Sequence, residues 1–352
     1  MRKATFRSPV FLVLILVSTL ACSRDKTPLQ AEAPFSPPQS ALDPFVQNTL
    51  LAKGVNLGNA LEAPREGDWG VVLEERYFQL IKEAGFTAVR IPTRWSAHAK
   101  ATAPFTIDKD FFDRVEWAVR QALQRGLAVV LNMHHYEEIM QDPAGHRQRF
   151  LAMWDQIARH FRDYPAELFF ELLNEPSGNL SPETWNAMLV EGIQVVRSSN
   201  PYRILIVGPC NWNAMSALES LRLPEGERGL IVTVHYYNPF QFTHQGAEWV
   251  EGSQAWLGTT WSGTPQQKNA IELEFVRAKL WAEQQNRPLF LGEFGAYSKA
   301  DMNSRALWTA FVARQAEKYG MSWCYWEFCA GFGLYDRNAG DWLYPLLRAL
   351  IP

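Results

Sequence analysis

The runs Leu-Phe-Phe-Glu-Leu-Leu-Asn-Glu-Pro at 168–176 and Leu-Phe-Leu-Gly-Glu-Phe-Gly at 289–295 each carry an apolar stretch onto a glutamate, Glu175 in the first and Glu293 in the second. A short apolar run closed by turn residues suits a strand covered on both faces, the environment of a parallel sheet. In a parallel α/β barrel the C-terminal ends of all strands meet on one face, and reactive groups gather there. Two carboxyl groups at two such ends are therefore expected to face one cleft.

Further runs of this kind lie near 54–58, 87–91, 128–133, 203–207, 230–235 and 322–326, which with 168–173 and 288–291 make eight. Amphipathic stretches at 73–84, 109–125, 147–161, 181–197, 266–285 and 304–319 separate most of them. The 181–197 helix has a clear start, with Ser181 as cap, Pro182 at the first helical position and Glu183 in the opening turn. This alternation predicts an α/β fold, a single (β/α)8 TIM barrel over residues 42–352. A doubly wound dinucleotide fold fits less well, because the first strand reads Gly-Val-Asn-Leu-Gly-Asn-Ala and lacks the G-x-G-x-x-G spacing. Residues 236–265, containing Asn238, Pro239, Trp249, Gly252, Trp256 and Gly258, predict a large surface loop that walls one side of a cleft.

On such a barrel the strand ends supply a defined set of polar groups. The first gives Asn56 and Asn59, followed by Glu62; the second gives Arg90; the third gives His134 and His135. The fourth gives Asn174 and Glu175, the sixth His235 and Tyr237, the seventh Glu293 and the eighth Trp326. Paired carboxyls fit glycosidic bond cleavage, in which the leaving oxygen needs a proton and the cationic anomeric carbon needs a nucleophile or water. A gap of about 5–5.5 Å means direct attack with retention, and about 6.5–9.5 Å admits water and gives inversion. The residues alone leave that choice open. Arg90 and the Tyr237 hydroxyl, where they reach Glu293, favour its charged form, and that charge keeps Glu175 protonated.

In order, Val-Arg-Ile-Pro (89–92), Met-His-His (133–135), Leu-Asn-Glu-Pro (173–176), His-Tyr-Tyr-Asn-Pro (235–239), Gly-Glu-Phe-Gly (292–295) and Tyr-Trp-Glu (325–327) resemble glycoside hydrolase family 5. The resemblance spans residues 50–350, and the opening Gly-Val-Asn-Leu-Gly-Asn-Ala-Leu-Glu-Ala-Pro (54–64) is similar to bacterial endoglucanases, some relatives of which also cleave β-mannan. It implies an endo-acting β-1,4-glucanase working by double displacement, with Glu175 as general acid/base and Glu293 as nucleophile. Arg90, His134, Asn174, His235, Tyr237 and Trp326 match the remaining active-site positions. His135 and Glu62 match substrate-binding positions of nearer relatives, and Asn56, Asn59, Trp212 and Trp256 are grouped with them. No cofactor and no metal is implied.

Two other readings stand beside this one. The same chemistry on another β-glycan (xyloglucan, mixed-linkage or β-1,3-glucan) is one, and a non-catalytic surface glycan-binding barrel is the other. Glu171 reads as a barrel-interior carboxylate paired with a cation. Adjacent His134 and His135 on a strand would point to opposite faces, which argues against a metal centre. Glu327 either touches substrate or serves an outward structural role. Among 14 tryptophans, Trp69, Trp212, Trp256, Trp261 and Trp326 fall in loops or strand ends and are candidates for stacking on sugar rings. Trp117, Trp154, Trp185 and Trp281 fall in helical patterns and are expected to pack.

The formal net charge of −3 over 352 residues gives no basis for a nucleic-acid partner; a polysaccharide substrate and a monomer are expected. Arg2, Lys3 and Arg7 followed by the apolar stretch Val10 to Leu20 predict an export signal over 1–22. Thr-Leu-Ala-Cys at 19–22 fits a bacterial lipoprotein site with lipid on Cys22, the alternative being a simple cut after Ala21. An exported, outer-membrane or cell-surface lipoprotein follows, otherwise a periplasmic or secreted protein, with the lipid as its membrane contact. Residues 23–41, rich in Pro, Ala, Ser and Gln, predict a flexible linker. Cys210, Cys324 and Cys329 are expected to be buried thiols, since their spacing suits neither a disulfide framework nor zinc.

Overall fold

Eight strands close in sequence order into one barrel. They are β1 (Lys53–Asn56), β2 (Ala88–Ile91), β3 (Ala128–Asn132), β4 (Leu168–Glu171), β5 (Leu205–Val207), β6 (Leu230–Tyr236), β7 (Leu289–Phe294) and β8 (Ser322–Tyr325). All pair in parallel, and β8 returns to β1 with Lys53 opposite Trp323 and Gly54 opposite Cys324. The computed structural model describes Met1, Ser36 and residues 38–352, so the expected export signal beyond Met1, with Cys22, and most of the expected linker lie outside the described residues.

Apart from Lys53, every residue of these strands is buried, as continuous apolar runs require when helices cover a sheet whose other face is the barrel interior. Alternate side chains divide accordingly: Val130, Phe169, Ile206, Ile231 and Phe290 form one apolar cluster, while Val129, Leu168, Leu205 and Leu289 join the larger one that holds the helices. Helix Pro182–Arg197 begins as read, with Ser181 Oγ accepting from Thr184 N at 3.3 Å. Cys210, Cys324 and Cys329 are free and buried.

Helix Pro44–Leu51, which carries no strong pattern, sits across the N-terminal ends of the strands. Asn48 Nδ2 donates to Leu289 O at 3.0 Å and Asn48 Oδ1 accepts from Ser322 Oγ at 2.6 Å. Leu51 completes the interior cluster. With that end filled, the opposite end is left for chemistry. The 236–265 segment contains a helical turn at Phe240–Thr243 and a 3-10 turn at Ser253–Trp256. After β8 comes a small antiparallel hairpin, β9 (Tyr335–Asp336) with β10 (Asp341–Trp342), too short to leave a signal. Among the described residues no helix is long and apolar enough to cross a membrane.

Candidate active site

The C-terminal strand ends open into a cleft of about 1070 Å³ that includes Glu175, Glu293, His134, His135, Tyr237 and Trp326. At its base lies Arg90, wholly buried on β2. Its Nε and Nη2 each donate to Glu171 at 2.7 Å, Nη2 also to Asn174 Oδ1 at 2.7 Å, and Nη1 to Glu293 Oε1 at 2.6 Å and Asn56 Oδ1 at 2.8 Å. Two buried carboxylates hold the guanidinium charged. Glu171 is thus the paired interior carboxylate that its place on the strand predicts. Because Asn174 Oδ1 is taken by Arg90, its Nδ2 is the side-chain atom left for a further bond.

Asn56 corrects the sequence reading. It is wholly buried, donates to the carbonyls of Gly292 and Tyr325 at 3.0 and 3.2 Å, and steadies Arg90 rather than substrate. The alternation of β1 turns it into the barrel interior.

Glu293 takes a second bond, from the Tyr237 hydroxyl to Oε2 at 2.9 Å. A register shift between Val234 and His235 leaves Gly292 as the extra residue of β7 and sets Glu293 opposite His235. Bulges of this kind re-aim side chains beside active sites. Glu175 has left its strand and holds φ 50°, a left-handed conformation that costs a non-glycine residue about 1–3 kcal/mol. Its Oε1 lies 2.7 Å from His235 Nδ1. One oxygen of Glu175, one of Glu293 and a ring nitrogen of His235 lie within 4.8 Å of one another. Donors of this kind and spacing also suit a cation, but the Arg90 guanidinium already supplies positive charge to Glu293.

Burial pushes Glu175 up to about 7, with Arg90 pulling it down and Glu171 pushing it further up. Burial raises Glu293 as well, against His235 and Arg90, which favour its anion. The partners of Glu293 alone predict a fall, and its burial outweighs them. The difference between the two lies in their neighbours: Glu293 touches a fixed cation and a phenol, Glu175 only an imidazole. Burial also lowers His235 to about 4 and keeps it neutral near pH 7.

His134 and His135 both line the cleft. Strand alternation would have separated them, but β3 ends at Asn132 and His135 turns back with φ 47°. His134 lies parallel to Trp326, centroids 5.7 Å apart, and its Nδ1 meets Asn132 Nδ2 at 2.9 Å. Asn59 and Glu62 also line the cleft. Glu62 accepts from the backbone N–H groups of Asn59 and Ala60, and burial pushes it up to about 8. Glu327 serves structure but points inward rather than outward: it is wholly buried and accepts from the amides of Cys329, Ala330 and Phe332 at 2.8–3.1 Å.

The tryptophans divide differently from the reading. Trp69 and Trp326 line the cleft, and so does the loop residue Trp249, which is not among the stacking candidates. Trp249 is 62% exposed and meets Tyr297 edge-on at 4.9 Å. Its exposure is set by the loop's two short turns, and neither leaves a sequence signal. Trp261 is buried beneath the helix Met302–Lys318, against Phe311. Trp256 lies outside the cleft lining, edge-on to Phe240. Trp212 is exposed beside Pro176 and also lies outside that lining. Trp154, Trp185 and Trp281 are buried, as helical spacing predicts.

Comparison with known proteins places the site in context. Residues 51–331 match the family model described as cellulase (glycosyl hydrolase family 5). Endoglucanase H of Acetivibrio thermocellus is 38% identical over 324 residues, 90% of this chain and 35% of that protein. The chain thus spans about a third of the length of that relative, and 39% of Cellulase/esterase CelE from the same organism, at 29% identity over 85% of this chain. Crystal structures of Thermotoga maritima Cel5A, with mannotriose and with cellobiose, superpose with a TM-score of 0.87 at 55% identity, covering 88% of this chain and 100% of theirs. With its barrel, its paired glutamates and a family match over residues 51–331, the chain belongs to the cellulase family, glycosyl hydrolase family 5.

Proposed function

We propose that the protein is a retaining endo-β-1,4-glucanase that also accepts β-mannan. The observation that carries this reading is the approach of one Glu175 oxygen to one Glu293 oxygen within 4.8 Å, which is in keeping with the closer carboxyl spacing of direct attack. Glu293 attacks the anomeric carbon while Glu175 gives its proton to the departing glycosidic oxygen. The C–O bond to the leaving sugar breaks as the bond to Glu293 forms. Once Glu293 is esterified its charge is gone, and the ionised Glu175 takes a proton from water. Water then attacks the same carbon and Glu293 leaves as carboxylate. Asn174 Nδ2, freed by Arg90, donates to the sugar 2-hydroxyl, a bond that strengthens in the oxocarbenium-like state. Trp326 floors the cleavage site, and Trp69 and Trp249 offer ring faces along the cleft.

Glucose and mannose differ only at C2, and the Thermotoga neighbour was crystallised with oligosaccharides of both. That neighbour is the support for a mannan activity. One relative, from Bacteroides ovatus, is named for xyloglucan at 28% identity, which makes xyloglucan the second substrate to try. Export with a lipid on Cys22 is part of the same proposal, supported by Arg2, Lys3 and Arg7, the apolar stretch Val10 to Leu20 and Thr-Leu-Ala-Cys at 19–22.

Reducing-end release from amorphous cellulose, mixed-linkage glucan, mannan and xyloglucan tests the reading, together with Glu175→Gln and Glu293→Gln. Cleavage of β-1,4-glucan by the wild type and loss of turnover with retained oligosaccharide binding in both variants is expected. Activity on no β-1,4-linked glycan, or substantial turnover by either variant, would overturn it.

A further inference from the structure

Behind His235, on the side away from Glu175, lies a buried amide that no step above uses. Residues Asn211, Trp212 and Asn213, which follow β5, hold φ 62°, 55° and 54°, a left-handed turn of three non-glycine residues. Such conformations are tolerated by asparagine and costly for tryptophan, so surrounding structure must impose them. The turn is pinned at both ends: Trp212 N donates to Pro176 O at 3.3 Å and Asn213 O accepts from His235 N at 2.9 Å. It sets the wholly buried Asn213 side chain 3.4 Å, Nδ2 to Nε2, from His235. Room is cleared by a glycine just past β5 and another on β7. A Cβ on Gly208 would overlap Asn213 Oδ1, and one on Gly292 would lie 3.1 Å from His235 Nε2. Asn213 Oδ1 has no hydrogen-bond partner among the described residues, so its imidazole contact is the only polar one its side chain makes there.

We propose that Asn213 is a positioning residue that fixes the tautomer of His235 and thereby sets the proton affinity of the acid/base Glu175. An amide N–H aimed at Nε2 requires a lone pair there, which puts the imidazole proton on Nδ1. Nδ1–H then points at Glu175 Oε1, 2.7 Å away, and favours the carboxylate. The opposite tautomer would present a lone pair to Glu175 and favour the acid. Other charged and titratable groups around this pair are Arg90, His134, Glu171, Glu293 and Tyr237, all on barrel strands or their ends. Each is held by its own partners and none of them reaches Nε2. The inference deepens the proposed glycosidase reading and rests on it for its kinetic arm.

Two variants test it, both compatible with a positive φ at 213. Asn213→Asp places a carboxylate at Nε2, draws a proton there and converts His235 toward imidazolium, which lowers the proton affinity of Glu175. Asn213→Gly releases the tautomer and raises it. On a substrate with an unactivated leaving group, the basic limb of kcat/KM should move to lower pH in the Asp variant and to higher pH in the Gly variant. The turnover loss should be about 10–100-fold, part of what acid–base catalysis supplies. A dinitrophenyl leaving group, which departs without a proton, should largely restore the glycosylation rate. Nitrogen-15 NMR of His235 provides a readout free of activity, with Nδ1 protonated in the wild type and Nε2 gaining a proton in the Asp variant. Unchanged basic limbs, limbs that move together, or a wild-type imidazole protonated on Nε2 would overturn the proposal. Inactivity of the wild type on every glycan would instead sink the glycosidase reading and leave the NMR arm intact.

Discussion

Replacing Arg90 with lysine keeps a positive charge and removes the planar fork. Arg90 makes five hydrogen bonds of 2.6–2.8 Å to Glu171, Glu293, Asn174 and Asn56, with no solvent exposure. One ammonium on a flexible stem cannot serve five acceptor oxygens arranged around a plane. Breaking a buried ion pair costs about 3–5 kcal/mol, and lysine should recover part of that at one carboxylate, leaving a loss of about 2–4 kcal/mol. At about 2 °C per kcal/mol for a domain of this size, Tm should fall by about 4–8 °C. Glu293 also loses a charge-assisted bond of about 1.5–3 kcal/mol, and Asn174 loses the contact that orients its amide. Together these raise the barrier by about 3–4 kcal/mol, a fall in kcat of roughly 150- to 1000-fold. Calorimetry and initial rates on one preparation read both quantities. A lysine variant within 2 °C of the wild-type Tm and within about tenfold of its kcat would refute the hub role.

Four further outcomes follow from the same geometry. Glu175 must be protonated to act as acid, so kcat/KM should fall as pH rises through about 7, read from a pH–rate profile of the free enzyme. Stability should be greatest near pH 6.5. Buried histidines held neutral (His134, and His135, His235 and His244 pushed down to about 4) destabilise the fold below their unfolded value of about 6.5. Above that point Glu175 and Glu327, pushed up to about 7, and Glu62, pushed up to about 8, keep protons that the unfolded chain has lost. Stability conferred by these raised carboxyls is lost as pH rises to 8, so Tm should decline from pH 6.5 to 8.5; a rise would contradict it. Trp249→Ala should raise KM for polysaccharide about 5- to 30-fold, the loss of about 1–2 kcal/mol of ring contact, with Tm unchanged. Trp261→Ala, in the same loop but buried, should instead cost about 3–5 kcal/mol of stability, measured by denaturant unfolding.

That contrast between Trp249 and Trp261 marks where the sequence stops being readable. The barrel was legible because parallel strands buried on both faces write continuous apolar runs, and those runs end where the chemistry gathers. Glu175, Glu293, Arg90, His134, Asn174, His235, Tyr237 and Trp326 followed from that rule and from the family resemblance, and the fold brings them together. The rule places a residue at a strand end without saying which way it turns. Asn56 turns inward beneath Arg90, while His135 escapes the strand's alternation through one left-handed residue. Loop tryptophans depend on the turns that carry them, which have no periodicity to read. Helix Pro44–Leu51 is short and gains its place only through contacts with Leu289 and Ser322, far away in sequence.

The central claim is that Glu293 forms a covalent glycosyl-enzyme while Glu175 moves the proton. A 2-deoxy-2-fluoro cellobioside with a dinitrophenyl leaving group should trap that intermediate, because fluorine slows hydrolysis of the ester more than its formation. Peptide mass spectrometry of the trapped protein is predicted to place one fluorosugar on Glu293, and proton NMR of products from a natural substrate to show the β anomer first. A label on Glu175, or no label together with an α anomer first, would contradict the account.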